Sequence, residues 1–262
     1  MNKKLIAKNL NKGYPVSKWI IFPDPNPKAE IRLFCFPFAG GGSLAFRPWQ
    51  RELPDSIEVC AVQLPGRENR LNEPPYTRLS HALLHASFTE ISPYLDRPYA
   101  IFGHSLGALV GFELIRHIRR QDSFPLPVHL FVSGRQAPDM PSSEPRIHHL
   151  SDREFMNHLR NLKGTPDAVF ENRDLMELLL PLLRADFSVN ESYLYTEEPL
   201  LDVPITVYGG EDDPVSDRDS SHGWSRHTSQ KFQIQMFPGG HFFIQSHQSE
   251  LLRSISDSLD MK

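Results

Sequence analysis

The string Gly103-His-Ser-Leu-Gly107 lies between two segments of different periodicity, and that placement constrains the fold more than any other feature of the chain. Upstream, Tyr99–Phe102 is a short apolar run of the kind that forms a buried strand. Downstream, Leu106–Ile118 repeats Leu109, Val110, Leu114 and Ile118 along one helical face. Composition alone would place a Gly-x-Ser-x-Gly string in roughly one chain in ten of this length, so the context carries the information. A strand that passes directly into a helix must turn tightly, and glycines are needed where any side chain would strike the neighbouring strand or helix. The central serine then projects past the sheet edge, at the positive end of the helix. The plainer reading is a strand–turn–helix with a capping serine.

The same alternation runs along the chain. Candidate strands are Trp19–Phe22, Ile31–Phe36, Ile57–Gln63, Tyr99–Phe102, His129–Ser133, Ile205–Tyr208 and Gln233–Phe237. Helical patterns fall at Ser80–Ile91, Leu106–Ile118 and Ile244–Leu259. Strand and helix in this order predict a mostly parallel central sheet flanked by helices. From about Met140 to Leu200 the rhythm stops. Asp152–Leu159, Arg173–Leu183 and a piece around Asp186–Tyr193 read as helices with no strand between them, which predicts a helical lid inserted at 140–200. The alternative is a helical crossover with no gating role. Residues 1–30 read as an extension and 31–262 as one domain, a size that α/β folds fill.

Charge and composition exclude other classes. A formal net charge of -4 and a pI near 6.3 leave no basic surplus for nucleic acid. No run approaches the apolar length of a membrane span, and the lysine-rich Met1–Lys18 lacks the apolar core of a secretory signal. Cys35 and Cys60 lie inside strand-like runs and read as buried thiols of a cytoplasmic protein rather than a disulfide.

A serine hydroxyl needs a base to take its proton. Of twelve histidines, His241 in Phe237-Pro-Gly-Gly-His-Phe-Phe243 is best placed, just past the last strand and before the last helix. His104 adjoins the serine but is expected to point elsewhere; His148, His149 and His158 fall in the expected lid. The acid that orients the base is expected after Ile205–Tyr208, in Gly209-Gly-Glu-Asp-Asp-Pro-Val215, with Asp213 at the loop apex, Asp212 its competitor and Asp139 the outside candidate. Two backbone N–H groups must face the oxygen that gains charge. Leu106 supplies one, and the other is assigned to Ala39 in the loop Cys35-Phe-Pro-Phe-Ala-Gly-Gly-Gly-Ser43. That loop could also be a flexible turn or a weak phosphate-loop look-alike, although no Gly-Lys-Ser/Thr ending follows. The order serine, acid, histidine is that of the α/β-hydrolase fold.

These motifs, with Gln63-Leu-Pro-Gly-Arg-Glu-Asn-Arg70, Ser133-Gly-Arg-Gln-Ala-Pro138, Leu180-Pro-Leu-Leu-Arg-Ala-Asp186 and Pro238-Gly-Gly-His-Phe242, carry a resemblance. From about Ile31 to Leu252 the chain is similar to the type II thioesterases that accompany nonribosomal peptide and polyketide synthases. It also resembles the medium-chain fatty-acyl thioesterase of animal fatty acid synthesis. The resemblance implies catalytic Ser105, Asp213 and His241, oxyanion donors at Ala39 and Leu106, and no metal or organic cofactor. It implies hydrolysis of acyl groups from the phosphopantetheine arm of acyl- or peptidyl-carrier proteins, in an editing role. Arg47, Arg51, Arg67 and Arg70 are candidates for a basic carrier-docking surface; the alternative is that they bond within the chain or face solvent. A carboxylester hydrolase of small free esters, and a non-catalytic protein that binds acyl carriers, are the competing readings.

Overall fold

The computed structural model describes residues 17–122, 124–141, 145–162 and 167–260. Most of the lysine-rich start, and residues 142–144 and 163–166 of the strandless stretch, lie outside the described residues.

Seven strands form one sheet: β1 (Ile20–Ile21), β2 (Ile31–Phe36), β3 (Ile57–Val62), β4 (Tyr99–His104), β5 (His129–Ser133), β6 (Ile205–Gly210) and β7 (Phe232–Phe237). Their order is β1-β3-β2-β4-β5-β6-β7. Only β1 runs antiparallel, against β3; every other pair is parallel. The five strands β2 to β6 are buried at every residue, which is why they read as nearly continuous apolar runs in the sequence. Successive side chains alternate between two cores. Phe34, Phe36, Ile101, Val132 and Val207 face helices α1 (His81–Ile91) and α2 (Leu106–Gln121). Leu33, Phe102, Phe131 and Tyr208 face the C-terminal helix. The same alternation separates the cysteines: Cys60 lies in the first core and Cys35 in the second, so the two buried thiols stay free. Residues before the main strands also join the body, since Trp19 and Ile20 are buried in the first core.

Among the described residues, three helices, α3 (Asp152–Asn161), α4 (Asp167–Glu171) and α5 (Arg173–Glu191), occupy the interval between β5 and β6. The two segments expected at Arg173–Leu183 and Asp186–Tyr193 are one helix, because the linking Arg184 and Ala185 are good helix formers and Ala185 is buried. Pro181 sits inside that helix. The opposite correction applies at the C-terminus. One helix over Ile244–Leu259 was the expectation; the backbone at His247 (φ -121°, ψ 34°) leaves the helical region and divides it into α7 (Phe243–Ser246) and α8 (Gln248–Leu259). The intervening short helix α6 is Arg218–His222. Ile147, Phe155, Leu159, Phe170, Met176, Leu180 and Leu183 form a third apolar cluster, belonging to the inserted helices and separate from the two sheet cores.

The strand order positions the site. After β2 the chain moves to β3 on one side, and after β4 it moves to β5 on the other. The loops leaving β2 and β4 therefore diverge at their carboxyl ends, the position where parallel sheets open a crevice. Phe36 pairs in register with Gly103, so both loops start at the same height.

Candidate active site

Ser105 joins β4 to α2 with φ 54° and ψ -113°, a left-handed conformation that costs a residue with a side chain energy. The surroundings hold it there. A Cβ on Gly103 would lie 2.3 Å from the carbonyl of Gly107, and one on Gly107 would lie 2.1 Å from the Phe36 carbonyl oxygen. The Ser105 N–H donates to the Ser133 carbonyl at 2.8 Å, tying the turn to the end of β5. Leu106 begins α2, so its N–H belongs to the first helical turn, where no intrahelical acceptor exists.

Among the three candidate acids, Asp213 meets His241. Its Oδ2 lies 2.9 Å from His241 Nδ1. It also accepts from the Ser216 hydroxyl at 3.1 Å, while its Oδ1 accepts from the Val215 N–H at 2.9 Å. A side chain that is 0% exposed thus has its carboxylate fully engaged. Asp212 is exposed on the same loop. Asp139 pairs instead with Arg226 and His227, at 2.8 and 2.9 Å. Ser105 and His241 both line two cavities.

His104 is buried and lines neither cavity, as expected of a ring that points away from the serine's open side, but it packs against His241. Its ring centroid is 4.9 Å from that of His241, and its Nδ1 is 2.9 Å from the Ser133 hydroxyl. Burial, and secondarily the neighbouring His241, hold the His104 pKa well below the usual histidine range, so this ring favours its neutral form beside His241. His158 lines the larger cavity, and His148 contacts Glu191; His149 is exposed.

One cavity, of about 660 Å³, runs from Ser105 past Arg135, Gln136, Asn190 and Tyr193. The other, of about 190 Å³, is enclosed by Phe38, Ala39 and Gly40 below and by Leu159, Leu183 and Phe187 of the inserted helices above. Helix α5 lines both.

Two of the four arginines expected to meet a partner do not face solvent. Arg67 and Arg70 are 3% and 5% exposed. Arg70 donates to the Gln63 carbonyl and Glu73, and Arg67 forms a bidentate pair with Asp186 at 2.9 Å. Arg67 is buried against the inserted helix by Asp186, and Arg70 against the Trp19 ring, 4.4 Å from its centroid. Arg47 and Arg51 remain exposed. Sequence reasoning missed Asp186 altogether. The signal lay in the strings Gln63–Arg70 and Leu180–Asp186, but residues 119 apart give no hint that they touch.

The sheet order, the strained serine between strand and helix, and the acid and histidine loops after the last two strands define an α/β-hydrolase. Comparison with known proteins narrows this. A family model described as "Thioesterase domain" matches residues 31–259, and the chain belongs to the thioesterase family, as a hydrolase of thioester bonds. Linear gramicidin dehydrogenase LgrE of Brevibacillus parabrevis is 46% identical over 246 residues, covering 93% of each chain. Gramicidin S biosynthesis protein GrsT of Aneurinibacillus migulanus is 43% identical over 244 residues, covering 93% of this chain and 94% of its own. The solved structure of the type II thioesterase BorB from the borrelidin biosynthetic cluster matches with a TM-score of 0.85 at 35% identity, over 94% of this chain and 99% of the other.

Proposed function

We propose that this protein removes acyl groups from the phosphopantetheine thiol of carrier proteins in a nonribosomal peptide or polyketide pathway. The observation that carries the reading is that Ser105 and the Asp213-bonded His241 open onto two cavities at once. The small apolar chamber suits a short acyl chain. The larger one, with polar side chains along it, suits the amide-bearing pantetheine arm. Ser105 Oγ attacks the thioester carbonyl while His241 Nε2 takes its proton. The N–H groups of Ala39 and Leu106 hold the oxyanion. Collapse breaks the C–S bond and expels the pantetheine sulfur, a good leaving group because its thiol pKa is near 8.5, and the sulfur takes the proton held on His241 Nε2, which returns the base to its neutral form. Water, deprotonated by His241, then releases the acid from Ser105. The cytoplasm, where carrier-bound thioesters are made, is the place this reading assigns; no helix among the described residues is long and apolar enough to cross a membrane.

A redox reading, prompted by the name of the first relative, finds no support in the glycine loop. The Leu44 N–H and the Ser43 hydroxyl donate to Glu68 at 3.0 and 2.7 Å, and the Ser43 N–H donates to Gln63 at 2.7 Å. A carboxylate stands where a pyrophosphate would have to sit.

Intact-mass measurement of an acyl-loaded carrier protein tests the proposal: incubation is expected to return the carrier to its free-thiol mass. An unchanged acyl-carrier beside rapid turnover of small oxoesters would make the protein a carboxylester hydrolase instead. Arg51→Glu is expected to slow hydrolysis of the carrier-bound substrate, leave that of acyl-pantetheine unchanged, and lower the salt sensitivity of the former.

The inserted helices are the proposed cover of the site. Their first part rests on its own small apolar cluster, whereas Val189 near the end of α5 is buried in the main core. Amide hydrogen exchange is therefore expected to be fast from Ile147 to Asn161 and from Arg173 to Leu180, and slow from Asp186 to Glu191. Uniformly slow exchange across both would mean a fixed crossover.

A further inference from the structure

A buried ion pair lies directly behind the oxyanion loop, and no step in the proposed reaction uses it. Asp186, on α5, accepts from the Gly40 N–H at 2.7 Å and from both terminal nitrogens of Arg67 at 2.9 Å. Arg67 in turn donates to the Gly41 carbonyl at 2.9 Å and to the Pro65 carbonyl at 3.3 Å. Each side chain is 3% exposed. Between them they hold the N–H of one loop glycine and the carbonyl of the next.

The segment held is the tight turn that carries Ala39. The Gly41 N–H bonds the Phe38 carbonyl at 2.9 Å, and Gly40 has φ 75°, as the third position of a type II turn requires. A Cβ on Gly40 would lie 2.5 Å from the Leu183 side chain, so at this glycine the turn touches α5 directly. Three consecutive glycines have little conformational preference of their own. A buried ion pair adds little net stability against its desolvation cost, whereas its bidentate, charge-assisted bonds define one geometry.

We propose that Asp186 and Arg67 are positioning residues for the oxyanion hole: they latch the Phe38–Gly41 turn to α5, so that the Ala39 N–H points at the reacting carbonyl only while the second half of α5 is seated. The inserted helix then covers the site with its first half and completes it with the half anchored in the main core. This rests on the reading of Ser105 as nucleophile and Ala39 as donor.

The test uses the full-length protein and an acyl-pantetheine thioester. Asp186→Asn is expected to lower kcat by about 10- to 100-fold, with KM within about twofold, because a misplaced donor is felt in the transition state and not in substrate binding. Arg67→Lys keeps the charge without the fork and is expected to lose kcat in the same way; it carries the test if the aspartate variant fails to fold. Ala39→Pro deletes the donor N–H at a turn position that favours proline, and is expected to cost about 10²- to 10³-fold. If the latch acts through that N–H, adding Asp186→Asn to Ala39→Pro costs less than about threefold more. Wild-type kcat in a variant with unchanged Tm, or a full multiplicative loss in the double variant, overturns the latch. Labelling with a fluorophosphonate separates the failures. A wild-type protein that does not label at Ser105 overturns the nucleophile reading and the latch with it. Labelling at Ser105 alongside wild-type turnover by Asp186→Asn overturns the latch alone.

Discussion

Ser105→Ala is expected to abolish thioester hydrolysis, lowering kcat on the order of 10⁶-fold, the scale seen when a triad serine is removed. The argument is local. The strained backbone at Ser105 (φ 54°) is held by Gly103, Gly107 and the hydrogen bond to Ser133, none of which needs the hydroxyl. Alanine has the same backbone restrictions as serine there, so Tm should stay within a degree or two while the acyl-enzyme can no longer form. Intact-mass turnover on an acyl-carrier, read beside a melting curve, checks both halves. Near-wild-type turnover by a folded and uncontaminated variant would remove the serine mechanism.

Asp213→Asn is expected to cost about 10⁴-fold in kcat with the geometry retained. The carboxylate accepts from His241, Ser216 and the Val215 N–H, and an amide of the same shape can present a donor to Nδ1, turning the imidazole to the tautomer that cannot accept from Ser105. Asp212→Asn, one residue away and exposed, should leave kcat within about twofold. Asp139→Asn loses its partners Arg226 and His227 but touches nothing bonded to His241. It is expected to change stability slightly, as part-exposed pairs do, and to leave turnover alone. A large loss in Asp212→Asn with little in Asp213→Asn would reverse the assignment of the acid. Steady-state kinetics of the three variants on one acyl-pantetheine substrate decide the matter.

Most strands were legible because burial on both faces leaves a continuous apolar run: β2 and β5 carry the bounds read from the sequence, and the others differ at their ends. The turn at Ser105 was legible for a similar reason, since its whole geometry is set within five residues by two glycines whose space is taken by backbone. Local signals were weaker where packing and propensity disagree. The sequence pattern was read as two segments parted at Arg184 and Ala185, yet burial of Leu182, Leu183 and Ala185 sustains one helix. Four arginines near the glycine turns carried the same charge in the sequence, and only the tertiary structure separates the buried Arg67 and Arg70 from the exposed Arg47 and Arg51.

What the sequence determined by itself was the alternation of elements, the strained serine, and the short set of histidines and acids that could serve it. That Asp213, among those acids, is the one that meets His241, and that Arg67 joins Asp186 across 119 residues, belong to the tertiary structure. Hydrophobic periodicity records which face of an element is buried. It is silent on which distant loops a particular strand order brings to one edge, and here that order places the loops after β2, β4, β6 and β7 around a single crevice.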